Sequence, residues 1–396
     1  MRIGHLSTYF PTHCAFPYYT EALAHGMMES RADEHFVLTE AHCPGGSRGQ
    51  CTVVPCWRRD QDYVPAIVAE AKRLRLAVVL IQYANDIFGD DNRMPSLLAG
   101  LREAGIATVI NMHSVYPAGA RTGFLPGRDS QSFDRAVAQH AGSLLVHTER
   151  MRQDLASRGI DDSRIAVVPH GTLVRPRPDG LAARRQFGVP SEAKVLLFFG
   201  FVWPGKGIDF LLDVFAGVVK RVPNAFLYLG GYTRKKAFYT HAYMRYLRAR
   251  LWWLGVGDRC KLYGDYVPDD DVPSLYAAAD VVVLPYRQSY SSVSGVVHQA
   301  AGLETLMMCS RIYKFEEVGE RVSPELLAAY GDKREWVDRL TRLLTDDGFR
   351  DDAAKRLRRF AEETSWAKVG RQHLELFDRL CSTAGRVASA SGPARE

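Results

Sequence analysis

The 396-residue chain predicts an α/β protein of two doubly wound, parallel-sheet domains. Three observations carry that expectation. Short apolar strands alternate with longer helical stretches, a rhythm that means a parallel sheet covered on both faces. The rhythm breaks at Arg175-Pro176-Arg177-Pro178-Asp179-Gly180 and then restarts. The length suits two domains of ordinary size.

Taken in order, the strands expected in the first half are 2–6, 77–83, 107–113, 143–148 and 165–169, with helices over 65–74 and 94–104. Proline removes a donor and glycine favours turns, so the Pro/Gly run can continue neither a helix nor a central strand, and a linker is expected over 176–190. Beyond it come a strand at 195–199, a helix at 208–222 and strands at 226–230, 280–285 and 306–309. In 208–222 the apolar residues Ile208, Leu211, Leu212, Phe215, Val219 and Val222 fall on one helical face. Ser365 is placed to cap a last helix, 366–381, striped by Trp366, Val369, His373, Leu376, Phe377 and Leu380. The expected domains are therefore 1–175 and 191–365. The small, polar residues 382–396 read as a disordered tail. Two such halves set a ligand cleft between their strand ends.

Composition narrows the function. Apolar residues are 46% and charged residues 24%, which is globular composition and excludes disordered, collagen-like and coiled-coil chains. The apolar runs, such as 195–199, are strand-sized and far short of the ~18 residues of a membrane span. The first residues show no charged-then-apolar signal pattern, so a cytoplasmic protein is expected. A net charge of +6 from scattered basic residues suits an anionic small ligand and gives no nucleic-acid footprint. Seven cysteines, an odd number, argue for free thiols. Cys43, Cys51 and Cys56 beside His42 match no zinc spacing and read as a loop, so no metal site is assigned.

Two motifs carry chemistry. Phe199-Gly200-Phe201-Val202-Trp203-Pro204-Gly205-Lys206-Gly207 runs from an apolar strand into a helix. Glycines let backbone approach a ligand, a new helix offers free N–H groups, and Lys206 adds a full charge, which together suit a phosphate. A strand–helix turn with a solvated lysine accounts for the same residues. The second motif runs from Pro285 through Arg287 and a hydroxyl-rich loop to Ser294-Gly295-Val296-Val297-His298-Gln299. Ser294 is placed to cap a helix whose start, at Gly295 and Val296, is open to an anion. Alone, an ordinary capped helix explains it. Both motifs occur in the same half at ends of parallel strands, which favours one diphosphate held from two sides.

At these residues the chain resembles the nucleotide-sugar glycosyltransferases of the GT-B fold, glycosyltransferase family 4. The stretch 200–207 is similar to the family's Gly-Arg-Leu-x-x-x-Lys-Gly turn. Tyr263-Gly264-Asp265-Tyr266-Val267-Pro268 and Leu275-Tyr276-Ala277-Ala278-Ala279-Asp280 resemble its run-up to the donor site, with Tyr266 a donor contact. His147-Thr148-Glu149-Arg150-Met151, Val168-Pro169-His170-Gly171 and Trp366 match other family landmarks. The resemblance implies a donor site of Gly200, Lys206, Tyr266, Arg287, Ser294, Gly295, Val296 and Gln299. The family's Glu-x7-Glu motif falls on Ser291 and Gln299, and its phosphate-binding Arg on Phe201, so Arg287 is the replacement cation. His113, closing the strand at Val109-Ile110-Asn111-Met112, takes the place of the family's active-site histidine; without the resemblance it reads as a satisfied strand-end residue. Catalytic roles accordingly fall on His113, Lys206 and Arg287.

The loop 7–19 is aromatic, and Tyr9, Phe10, His13 and Tyr18 suit a small polar acceptor, as rings stack and tips hydrogen-bond; a packed loop fits as well. Asn85 and Asp86 follow the strand ending at Tyr83 and join that acceptor set. Arg234-Lys235-Lys236, Arg245, Arg248 and Arg250 with Leu251-Trp252-Trp253-Leu254 resemble a membrane-surface helix. They are read here as a helix whose aromatic face packs on its own sheet while the Arg heads stay in water, so membrane docking is not expected.

The expected function is a retaining, metal-independent glycosyltransferase. It would move a sugar from a UDP- or GDP-sugar to a small polar acceptor, in bacterial natural-product (antibiotic-type) biosynthesis. The alternatives are a non-catalytic nucleotide-sugar-binding protein of the same fold and a cell-envelope glycolipid or polysaccharide glycosyltransferase. No cofactor beyond the donor is expected, and a homodimer stays open.

Overall fold

The computed structural model describes residues 1–116, 130–231, 238–263, 267–287 and 290–390. They form two units. The first holds Met1–Gly171, Tyr290–Val293 and the segment from Thr364; the second holds Thr172–Ser289 and Ser294–Glu363.

The first unit is built on an eight-stranded sheet. Its spatial order is Gly46–Arg48, Cys51–Trp57, Glu34–Glu40, Arg2–Leu6, Val78–Tyr83, Ala107–Met112, Ser143–Val146, Ile165–Val167. All neighbours are parallel except the Gly46–Arg48 hairpin edge. Side chains alternate across the sheet. Val79, Ile81, Ile110 and Leu144 join the core on one face, and Ile3, Val78, Leu80, Val109 and Leu145 join the core on the other. The second of these faces is covered by the helices Phe16–Met28 and Trp366–Ala390, which meet almost backbone to backbone. A Cβ on Gly26 would lie 2.2 Å from the Trp366 carbonyl oxygen, and one on Gly370 2.5 Å from the Gly26 carbonyl carbon. This pair of glycines fixes the helix crossing.

The same alternation has a chemical consequence. Counting by twos along the second face, His5, Gln82, Asn111, His113 and His147 continue the rows begun by Ile3, Leu80, Val109 and Leu145. The strand pattern therefore lines one end of one face with polar groups.

The second unit carries a six-stranded parallel sheet in the order Cys260–Tyr263, Ala225–Gly230, Lys194–Phe199, Val281–Leu284, Leu306–Ser310, Leu327–Ala328. Numbered within the unit this is 3-2-1-4-5-6, whose order reverses between Lys194–Phe199 and Val281–Leu284, and ligands bind at such a reversal.

Several expectations are corrected. Residues 176–190 are not a free linker. Asp179 accepts the Ala182 N–H at 2.6 Å and starts a helix, Gly180–Phe187. Arg177 donates to the carbonyls of Glu304, at 2.8 Å, and Ala279, at 2.8 Å, which ties the segment to the second unit. The final helix runs on to Ala390, since the first strong breaker in the sequence is Gly392-Pro393. The loop reading around the first cysteines gives way to strands Gly46–Arg48 and Cys51–Trp57. All seven cysteines are free thiols. No described helix is long and apolar enough to cross a membrane.

Candidate functional site

The polar residues of the two sheets gather at strand ends, and each unit is built differently there.

In the second unit the Gly200–Gly207 turn leaves the strand Lys194–Phe199, and Pro285–Arg287 leaves its neighbour Val281–Leu284. The two loops interlock. The Arg287 N–H donates to the Gly205 carbonyl at 3.0 Å. Gly207 has φ +66°, and a Cβ there would lie 2.0 Å from the Pro285 oxygen, so only glycine closes the turn. Lys206 ends the short 3-10 turn Pro204–Lys206, with its Nζ 3.6 Å from the Tyr286 ring centroid. Burial, then the nearby Lys314, pushes the Lys206 ammonium down to about 7. Lys314, after the strand Leu306–Ser310, is itself brought to about 8 by burial, against the opposing pull of Glu317. Lys206 at the sheet's reversal point thus carries the cost of burial and of a second ammonium nearby, a cost an anion would relieve.

The other second-unit positions stand as follows. Arg287 is exposed, its guanidinium 5.4 Å from the Tyr330 ring centroid. Phe201, at the family's Arg position, is 43% exposed. The helix Gly295–Gly302 begins next to Ser294, but the Ser294 side chain makes no capping bond, contrary to expectation. The Ser294 carbonyl instead accepts from Val297 at 3.0 Å, and the earlier N–H groups of Gly295 and Val296 belong to the turn that has no intrahelical acceptor. Gln299 is exposed, and its Oε1 accepts the Tyr276 hydroxyl at 3.1 Å, leaving amide hydrogens to donate. Ser291 lies in the two-residue strand Ser291–Ser292, which pairs antiparallel with Ser114–Val115 in the first unit. The two positions of the degenerate Glu-x7-Glu motif thus belong to different units. Tyr266 lies outside the described residues.

In the first unit His113 sits just past Ala107–Met112, edge-on to Phe16 at 4.9 Å and Tyr19 at 4.8 Å. Its Nε2 is 2.7 Å from Gln82 Oε1, and its Nδ1 is 3.4 Å from His147 Nε2. His147 Nδ1 in turn meets the Val168 carbonyl at 3.0 Å. Gln82 Oε1 accepts the His113 Nε2–H, so the neutral His113 ring turns its Nδ1 lone pair toward His147 across the longest gap of the row. Burial, then His147 and His373, holds the His113 pKa well below its usual value, so the imidazole is neutral at neutral pH. Asn111 Nδ2 completes the row, donating to Tyr19 at 3.0 Å and Gln82 at 3.1 Å.

The acceptor candidates are only partly brought together. Phe10 packs edge-on to Tyr18 at 4.9 Å with the Arg48 guanidinium 3.6 Å from its ring centroid. His13 and Tyr18 are exposed, whereas Tyr9 is buried in the small cluster of Ala24, Val37 and Val53. Tyr9 is thus a packing residue here. Asn85 accepts the Tyr83 hydroxyl at 2.8 Å, and Asp86 is exposed, its carbonyl accepting from Arg59 at 3.1 Å.

Sequence reasoning missed Lys314, Gln82 and the pairing of His147 with His113. Lys314 follows a strand without a motif. Gln82 and His147 carry a signal only in the period-two rows described above.

Comparison with known proteins agrees with both halves. A family model described as glycosyl transferases group 1 matches residues 193–346, and one described as a glycosyl transferase 4-like domain matches 17–171. D-inositol 3-phosphate glycosyltransferase of Corynebacterium efficiens is 30% identical over 258 residues, 62% of this chain and 58% of that protein. The Corynebacterium urealyticum enzyme of the same name is 28% identical over 262 residues, 62% of this chain and 59% of that one. The chain therefore spans less than two thirds of the length of these relatives. Among solved structures, Anabaena HepE in complex with UDP and glucose superposes with TM-score 0.73 at 15% identity, covering 96% of this chain and 100% of that one. Sucrose-phosphate synthase from Thermosynechococcus elongatus does so with TM-score 0.72 at 17% identity, covering 96% and 99%. At these identities the likeness speaks for the fold.

Proposed function

The chain belongs to the family-4 glycosyltransferases of the GT-B fold, and from that premise we propose that it moves a sugar from a nucleoside diphosphate sugar, UDP- or GDP-linked, to a small polar acceptor with retention of configuration. The observation that carries the reading is the pair Lys206 and Lys314 at the sheet reversal of the second unit, two ammonium groups whose burial is relieved by an anion.

In this proposal the diphosphate lies against Lys206 and Lys314, with Arg287 exposed beside the same turn and the N–H groups of Gly295 and Val296 at the helix start. Fixed cations and dipoles act on charge as it develops on the departing diphosphate, the task a metal ion performs in other transferases. The mechanism is accordingly metal-independent and needs no cofactor. Gln299 donates its amide hydrogens to the ribose while its oxygen keeps Tyr276. The acceptor attacks on the leaving-group face, and a phosphate oxygen takes its proton. His113, on the first unit, turns from its 3.4 Å contact with His147 to a sugar or acceptor hydroxyl, keeping Gln82. Phe10, Tyr18 and His13 offer rings and polar tips to an acceptor. Relatives named for inositol phosphate support a polyol-like acceptor, and the loss of both motif carboxylates supports a donor or product unlike theirs, which suits a specialised metabolite.

The experiment is calorimetry against UDP, GDP and their sugars, followed by a donor-hydrolysis assay on each binder. Binding with slow sugar release supports the transferase. Binding without release supports a nucleotide-sugar-binding protein instead, and no binding refutes the donor site.

A further inference from the structure

The helix Phe238–Trp253 breaks the expectation made for it. Met244, Leu247 and Leu251 are buried and pack it onto the second unit, but the tryptophans do not share in that packing. Trp252 is 82% and Trp253 71% exposed, the two largest exposures among the large hydrophobic residues described, with Tyr246 at 45%. Arg245 and Arg248 are exposed on the same helix, one to two turns before the tryptophans. Arg234-Lys235-Lys236 lie outside the described residues.

Charge is concentrated here as well. From Tyr232 to Gly257 the sequence has six Arg and Lys and no Asp or Glu, which equals the net charge of +6 of the entire chain. One of the six, Arg250, is neutralised by Asp213 at 2.5 Å. The rest of the protein is balanced, and this stretch is not.

We propose that the Arg245–Trp253 face of this helix is a docking surface for an anionic lipid membrane, on which the protein sits peripherally. The chemistry matches on each count. Tryptophan favours the headgroup layer, where its ring is apolar and its N–H wet. Arginine stems lie along apolar surface while their heads reach phosphate. Adjacent residues on a helix project about 100° apart, so Trp252 and Trp253 form a wedge that a fluid headgroup layer accommodates better than one flat partner. A second copy of the chain fits poorly, because a two-fold contact through this face sets Arg245 and Arg248 against their own counterparts. Docking by this helix does not depend on the proposed reaction, and its test needs no turnover.

The test is co-sedimentation of the full chain with vesicles of phosphatidylglycerol and phosphatidylcholine in equal parts, beside vesicles of phosphatidylcholine alone. The expected result is binding to the anionic vesicles only, weakened by salt. Arg245→Gln/Arg248→Gln should lower affinity by more than about tenfold, from roughly fivefold per cation near an anionic surface. Trp252→Ser/Trp253→Ser should abolish sedimentation while leaving thermal stability unchanged, since neither ring is packed. Absence of binding to anionic vesicles, or binding equal in the wild type and the tryptophan variant, overturns the proposal. So does concentration-dependent self-association that the tryptophan variant removes, which would assign the face to a second copy.

Discussion

At the strand ends of the first unit the polar groups are imidazoles and amides that burial keeps neutral; at those of the second they are ammonium groups that burial crowds together. His5 and His113 are buried and held below the ordinary histidine range, with the Gln82 amide oxygen accepting from His113. Lys206 and Lys314 are also desolvated, Lys206 further lowered by the charge of Lys314 and Lys314 held up by Glu317. In the proposed function the same strand-end position therefore serves two chemistries, one that positions hydroxyls without charge and one that meets negative charge.

The largest effect expected from this contrast is on acid stability. His35 and His373 are pulled to about 4 by burial, and His5 and His113 lie well below the usual value. A histidine whose folded pKa is depressed binds its proton preferentially in the unfolded chain. Its contribution is therefore complete above about pH 6.5 and is lost as pH falls, for His35 and His373 by about 3 kcal/mol each at pH 4. Thermal unfolding followed from pH 7.5 to 5 should show the Tm falling through this window. A flat Tm would mean that these histidines titrate normally.

Next in size is His113→Ala. An interaction made mainly in the transition state lowers the rate and leaves ground-state affinity nearly intact. A loss of about 10²-fold or more in kcat is expected. Nucleoside diphosphate affinity should change by less than about threefold. Steady-state kinetics beside a nucleotide titration measures both. Wild-type kcat would return His113 to a structural role with Gln82 and His147.

Lys206→Ala should do the reverse, weakening nucleoside diphosphate binding by about 1.5–3 kcal/mol, the range for a hydrogen bond to a charged group. An unchanged affinity would remove Lys206 from the site. The smallest effect is that of Gln299→Glu. The carboxylate can still accept the Tyr276 hydroxyl and makes charge-assisted bonds to ribose hydroxyls, so binding should be retained or modestly tightened. A tenfold loss would break the alignment of Gln299 with the family's second glutamate.

Much of this was legible in the sequence. The strands at Arg2–Leu6, Val78–Tyr83, Ala107–Met112, Lys194–Phe199 and Val281–Leu284 are dominated by apolar residues, and the Lys206 turn has a glycine at each end of its signature. Glu34–Glu40 and Cys51–Trp57 escaped because polar ends and Pro55 mask them as loop, although both pair in register within the sheet. The segment Tyr290–Val293 was read with the second domain because it lies between that domain's elements, and only its pairing with Ser114–Val115 assigns it to the first unit. Lys314 was invisible for a different reason. Its meeting with Lys206 joins residues about a hundred positions apart through the sheet order, which no local pattern encodes.

In the proposed donor site Lys206 and Lys314 form an anion cradle. With pKa values of about 7 and about 8, Lys206 is largely and Lys314 about half deprotonated in the free protein at pH 8, and a bound diphosphate would raise both values. Binding must then take up protons, and affinity must rise as pH falls from 9 toward 7. Calorimetry of UDP and GDP binding at pH 8, in two buffers of different ionisation enthalpy, reads that number directly. Uptake of about one proton or somewhat more, cut to about half a proton or less in Lys206→Ala, is the expected result. Binding with no proton uptake, or uptake undiminished by the substitution, would overturn the cradle.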